Sequence, residues 1–159
     1  MALDRHWIES HIPHQGRMCL LDEVLHWNAT GVQCRSSTHR DPANPLRAHD
    51  RLAAVCGIEY AAQAMAVHGA LIASRITASP KNAPIAGYLA SVRNVTLYAT
   101  RLDDIESDLV ATAELVTGDE RTVLYDFSVS AYERVLLAGR ATIVFNVDAR
   151  SSLSSWTSE

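Results

Sequence analysis

Residues 52–73 constrain the fold more than any other part of the chain. In this stretch only Glu59, Tyr60, Gln63 and His68 carry polar side chains, and eight residues are Ala, the strongest helix former. Period-2 alternation is missing and there is no Pro, so the stretch predicts a helix with Asp50 as its N-cap. At ~1.5 Å per residue that helix would be ~33 Å long, the length of a membrane span. Yet Ala contributes little transfer energy and a mid-span Glu59 would be costly. The expectation is therefore a helix buried almost all round in a soluble protein, with no membrane partner. Such a helix needs something wrapped around it.

The wrapping is legible downstream. Residues 108–116 alternate Leu109, Ala111, Ala113 and Leu115 against Val110, Thr112, Glu114 and Val116. Residues 122–132 put Val123, Tyr125, Phe127 and Val129 on one face, and residues 135–147 do the same with Val135, Leu137, Ala141, Ile143 and Phe145. These are period-2 strands of an antiparallel sheet, joined by turns at 118–120 and 132–134. Residues 85–100 read as a further extended segment. Residues 23–37 read as an earlier one, broken by a turn near Asn28-Ala29-Thr30-Gly31. One sheet of this size cannot cover a helix on every side, so a curved sheet around a helix, completed by a second copy, is expected. The domain is expected to run from 1 to 147, and the Ser-rich tail 148–159 to be mobile.

Composition narrows the partners. The chain has 159 residues, 48% of them hydrophobic and 20% charged, which argues for one packed domain and against disorder. Its net charge of -4 argues against a nucleic-acid partner. Thirteen of its fourteen basic residues are Arg, a pattern that fits genomic base bias better than an anion-gripping surface. Cys19, Cys34 and Cys56 are odd in number and widely spaced, with no Cys/His cluster. That predicts no disulfide scaffold and no metal, and it fits a cytoplasmic protein. The first residues contain no apolar run, so no secretory signal is expected.

Three segments carry a resemblance. Ile12-Pro13-His14-Gln15-Gly16-Arg17-Met18-Cys19-Leu20-Leu21-Asp22-Glu23-Val24-Leu25 resembles the "LPH…LLVDRVL" opening of bacterial 3-hydroxyacyl-acyl-carrier-protein dehydratases. Ile58-Glu59-Tyr60-Ala61-Ala62-Gln63-Ala64 is similar to their "LEAMAQA" segment, and Leu89-Ala90-Ser91-Val92-Arg93-Asn94-Val95-Thr96-Leu97 to their "AGIDNVRF" strand. They occur in the family's order, and the wording is most similar to the dehydratases of aryl polyene pigment clusters. The resemblance implies an α+β hotdog fold, a long central helix wrapped by a curved antiparallel sheet. It also implies a dehydratase acting on acyl-carrier-protein or coenzyme A thioesters, without a cofactor, and a homodimer or a heterodimer with another hotdog subunit. Hotdog proteins also include thioesterases, so fold alone does not set the reaction.

Dehydrating a 3-hydroxyacyl thioester needs a base for the α proton, an acid for the departing hydroxyl, and donors for the carbonyl oxygen. Glu59 matches the family's catalytic carboxylate. Its apolar setting is expected to raise its pKa and make it the acid. Gln63, four residues on, shares its face and would touch substrate or brace the helix start. Gly57 would either let the thioester oxygen approach the helix N-terminus or let the helix pack closely. The family's "GHFPG" histidine is missing. Pro45 stands fourteen residues before Glu59, and His49, ten before it, is the candidate base. His14 matches a family histidine that is not catalytic and reads as structural, and His68 points away from Glu59. Arg47, Arg51, Arg93 and Arg101 would form a carrier-docking surface or simply be solvated charges. Two other readings stay open: a hotdog thioesterase, and a non-catalytic subunit that pairs with an active dehydratase.

Overall fold

The computed structural model describes residues 2–76 and 87–145; the Ser-rich tail and the first two residues of the 85–100 segment lie outside them. Six antiparallel strands form one sheet in the order β1-β2-β4-β5-β6-β3. They are β1 (Glu23–Asn28), β2 (Gly31–Ser36), β3 (Gly87–Leu97), β4 (Leu109–Gly118), β5 (Thr122–Ala131) and β6 (Arg134–Phe145). The break expected at 28–31 is the β1–β2 turn, where the Asn28 side chain accepts the Thr30 backbone N–H at 2.9 Å.

Helix α2 (Gly57–Ile76) follows directly on a short 3-10 turn, Ala54–Cys56, and packs on β2, β4 and β5. By length and hydropathy it could cross a membrane, but Tyr60, Ala61, Ala64, Val67, Ala70 and Leu71 are buried within the fold, so it is a core helix. Asp50 does not cap it. Residues 48–51 close a tight turn of their own, and the chain then runs extended beside residues 100–103. There the Leu102 N–H donates to the Leu52 carbonyl at 2.8 Å, and the Ala54 N–H to the Thr100 carbonyl at 3.1 Å. These pairings hold Leu52 and Ala53 out of the helix.

The sheet alternates as expected along β4 and β5, where Leu109, Ala111, Ala113, Tyr125, Phe127 and Val129 are buried. It departs at the start of β6. Val129 pairs with Leu137 but Ser130 pairs with Val135, so Leu136 is a bulge. The extra residue reverses the alternation: Leu136 and Leu137 are both buried and Val135 is exposed.

An element absent from the sequence reading covers part of the helix. Helix α1 (Arg5–His11) is capped by Asp4, whose carboxylate accepts the Trp7 N–H at 3.0 Å. Its Trp7 and Ile8, with Ile12, Cys19, Leu20 and Leu21, join the same core as α2. The chain thus encloses much of its helix by itself. Its exposed apolar residues concentrate instead along β3 and just beyond it, at Tyr88, Leu89, Val95, Leu97 and Tyr98.

Candidate active site

Three segments converge on the beginning of α2. The first is the irregular stretch between α1 and β1, which carries Ile12 to Leu21. The second is the first two turns of α2, and the third is the loop after β2. The loop is fastened by the Tyr60 hydroxyl, which lies 2.8 Å from Thr38 Oγ1 and accepts Asn44 Nδ2 at 2.9 Å. Thr38 Oγ1 also donates to the Leu20 carbonyl at 2.8 Å, so loop, helix and N-terminal stretch share one network.

Gln63 is the brace at the centre. It is fully buried. Its Oε1 accepts the Leu20 N–H at 2.9 Å, and its Nε2 donates to the Met18 carbonyl at 2.7 Å and to Glu59 Oε1 at 3.2 Å. These bonds tie the amide to the N-terminal stretch and to Glu59. Buried amide groups need such partners, and Gln63 supplies two to a stretch with no ladder of its own.

Glu59 sits one turn before Gln63, with its side chain 33% exposed. His14 Nε2 lies 3.1 Å from Glu59 Oε1. A carboxylate only accepts, so Nε2 carries the hydrogen in this contact. Among the described residues both bonds fall on Oε1, and Oε2 has none. The donated bond from His14 is the largest influence on the carboxyl and pulls its pKa down. Burial pushes the other way but is the smaller effect, and the bond from Gln63 adds to the lowering. This corrects the expectation that the apolar setting would raise the Glu59 pKa: the hydrogen bonds lower it instead. It also gives His14 a contact that the sequence reading did not assign to it. A signal was present, since Glu59 is the only acidic residue of the apolar helix and some polar segment had to cover it.

The remaining candidates are placed as follows. His49 is exposed, at the tip of a two-residue turn in which His49 and Asp50 have φ of 55° and 60°. Ala48 and Arg51 close this turn with bonds of 2.9 and 3.1 Å, and no bond joins His49 to Glu59 among the described residues. Gly57 is explained by packing. A Cβ there would stand 2.4 Å from Leu137 Cδ2, and its N–H is already shared between the Ala54 and Val55 carbonyls. His68 faces away from Glu59, as expected. Its Nδ1 lies 2.8 Å from the Tyr125 hydroxyl and its Nε2 2.9 Å from the Asn28 carbonyl. Arg101 is paired with Asp103, and the Arg47 guanidinium donates to the Asp50 carbonyl at 3.0 Å. Arg51 and Arg93 are exposed. Among the described residues no group of His, Cys, Asp and Glu converges as a metal site.

The comparisons agree on the architecture. The family described as ApeP-like, ApeP dehydratase, matches residues 6–154. Among curated proteins no relative matches. Among solved structures, the dehydratase heterocomplex ApeI:P from Xenorhabdus doucetiae is similar with a TM-score of 0.78 at 24% identity, covering 92% of this chain and 96% of that one. The mutant thioesterase PA1618 from Pseudomonas aeruginosa is similar at 10% identity with a TM-score of 0.52, covering 77% and 78%. The PaaI protein of the phenylacetic acid degradation operon of E. coli gives 11% and 0.55, covering 76% and 80%. The fold is the α+β hotdog, a long helix packed on a six-stranded antiparallel sheet.

Proposed function

The chain belongs to the ApeP-like dehydratase family, and from that premise we propose that it removes water from 3-hydroxyacyl thioesters carried by an acyl carrier protein or coenzyme A. The observation that carries this reading is the Glu59 carboxylate: half-buried, its pKa lowered by two donors on Oε1, and with no hydrogen bond on Oε2 among the described residues. Oε2 takes the proton from the α carbon, and the electrons of that C–H bond move toward the thioester carbonyl. As the double bond forms, the C–O bond at the β carbon breaks, and the protonated Glu59 delivers its proton to the departing hydroxyl. The products are water and a 2-enoyl thioester, and the carboxylate is restored. His49, the base expected from sequence, lies in a separate exposed turn and has no part in this scheme. The reaction needs no cofactor.

The partner belongs to the same proposal. Sheet edge β1 is partly covered by the chain's own N-terminus, through the Val24 N–H bonded to the Leu3 carbonyl at 2.8 Å. Among the described residues no strand pairs with the outer edge of the eleven-residue β3, and its exposed apolar side chains are the kind a protein interface buries. We assign β3 to a second hotdog subunit. The similar solved structure is a heterocomplex of dehydratases, and that supports a different subunit rather than a second copy. Unpaired Cys19, Cys34 and Cys56 support a cytoplasmic setting.

The test is hydration of 2-enoyl thioesters, and dehydration of 3-hydroxyacyl thioesters, by the purified protein alone and with a co-expressed hotdog partner. Glu59→Gln removes the proton acceptor and should lower kcat by at least about 100-fold. Full activity in that variant would remove Glu59 from the reaction. A second reading, thioester hydrolysis, is favoured by the same charged carboxylate, since it could activate water. Release of free thiol from an acyl thioester separates the two.

A further inference from the structure

We infer that His14 is the positioning residue for Glu59: its Nε2–H occupies Oε1, so that Oε2 is presented as the oxygen that exchanges protons. This rests on the reading of Glu59 given above and adds to it the residue that orients the carboxylate. The geometry carries it. His14 Nε2 and Gln63 Nε2 reach the same oxygen, at 3.1 and 3.2 Å, from opposite sides of the chain order. Two donors on one oxygen fix the rotation of the carboxyl plane, which a single bond does not.

The contrast with the core histidine is informative. Both nitrogens of His68 are engaged, one with Tyr125 and one with a backbone carbonyl, as expected of a ring that ties elements together. Among the described residues the His14 ring bonds only to Glu59. Its Nδ1 is buried without a protein partner among the described residues. The backbone around His14 is held by other groups. The Ile12 N–H donates to the Ile8 carbonyl at 3.1 Å, Gln15 Nε2 to the Glu9 carbonyl at 2.9 Å, and the Arg5 guanidinium to the Cys19 carbonyl at 2.6 Å. The fold therefore does not depend on the His14 ring for the path of this stretch.

The other charges at this corner are accounted for. Arg5 is paired with Glu9 at 3.3 Å and Asp22 at 3.4 Å, and Arg17 is exposed on the single 3-10 turn at 16–18. Cys56 and Tyr60 on the helix side are held neutral by burial, and His49 lies in its exposed turn. The groups acting on the Glu59 carboxyl are His14 and Gln63, against its own burial.

The experiment is a carbon-13 carboxyl titration of Glu59 by NMR in the wild type, His14→Ala and His14→Gln, with thermal melts and kcat and KM measured on the same proteins. His14→Ala should raise the midpoint by about one pH unit, a tenfold change in proton affinity. His14→Gln keeps an N–H donor and should restore most of that shift. Where the protein turns over substrate, His14→Ala should lower kcat about 10- to 100-fold with KM nearly unchanged. An unchanged midpoint in His14→Ala overturns the assignment. So does a large loss of thermal stability that His14→Gln does not restore, because it would make the ring a structural tie. If the titration behaves as expected while no thioester is dehydrated, His14 stands and the dehydratase reading falls.

Discussion

At Glu59 two effects oppose each other, and their sizes decide the chemistry. Burial disfavours the charged carboxylate, whereas donated hydrogen bonds favour it, and here the bonds from His14 and Gln63 win. Gln63 is the more structural of the two. Replacing it with Ala strands the buried Leu20 N–H and takes the donor from the part-buried Met18 carbonyl. A loss of roughly 2–4 kcal/mol is expected in urea unfolding. A loss below about 1 kcal/mol would mean that water enters and replaces the amide. His68 and His39 make the second prediction. Burial holds both rings below the usual histidine range. The unfolded chain therefore takes up protons before the folded one does, and stability is complete only above about pH 6.5. It should fall as pH drops through that value, by at most about 1.4 kcal/mol per pH unit for each ring. Denaturation curves at pH 7.5, 6.5 and 5.5 check this, and a stability that rises toward pH 5.5 would contradict it.

Two glycines of α2 separate helix propensity from packing. Ala is favoured over Gly in a helix interior by about 1 kcal/mol. At Gly69 nothing lies within 4 Å of an added Cβ, so Gly69→Ala should stabilise the isolated chain by up to about that amount. At Gly57 the same methyl would meet the buried Leu137 at 2.4 Å, where the helix rests on β6. Overpacking there should outweigh the propensity gain and leave Gly57→Ala destabilised by about 1–3 kcal/mol. Thermal melts of the two variants should move in opposite directions. The bulge at Leu136 follows the same logic at the level of a strand. It lets Leu136 and Leu137 both enter the core at the end where α2 begins.

At the scale of the whole molecule, the described residues leave one sheet edge unfinished. Among them β3 pairs with β6 on one side only, and its Leu89 and Leu97 are 42% and 46% exposed. A charge at both positions, Leu89→Lys with Leu97→Lys, should prevent assembly while sparing the fold, because neither side chain belongs to the buried core. Light scattering coupled to gel filtration reads the result: a folded monomer is expected from the double variant. An assembly of unchanged mass would move the interface elsewhere. Loss of dehydration in that monomer, with the Glu59 titration intact, would show that the site needs its neighbour.

What was readable from residues alone was whatever depends on near neighbours in the chain. The alanine-rich helix and the alternating strands declare themselves because a helix or a strand repeats every few residues. Glu59 was legible because a lone acid in an apolar helix stands out against its surroundings. The N-terminal helix was not, since seven residues span too few turns to show a period. Nor was the bulge, where one additional residue changes which side chains face inward without altering the local pattern. Least legible was the donor on the carboxylate. His14 and Glu59 are far apart in the chain and meet only because the stretch after α1 folds back over the start of α2. Which way the pKa of that carboxyl moves depends on a 3.1 Å contact, and a distance across the fold is a quantity that only the tertiary structure sets.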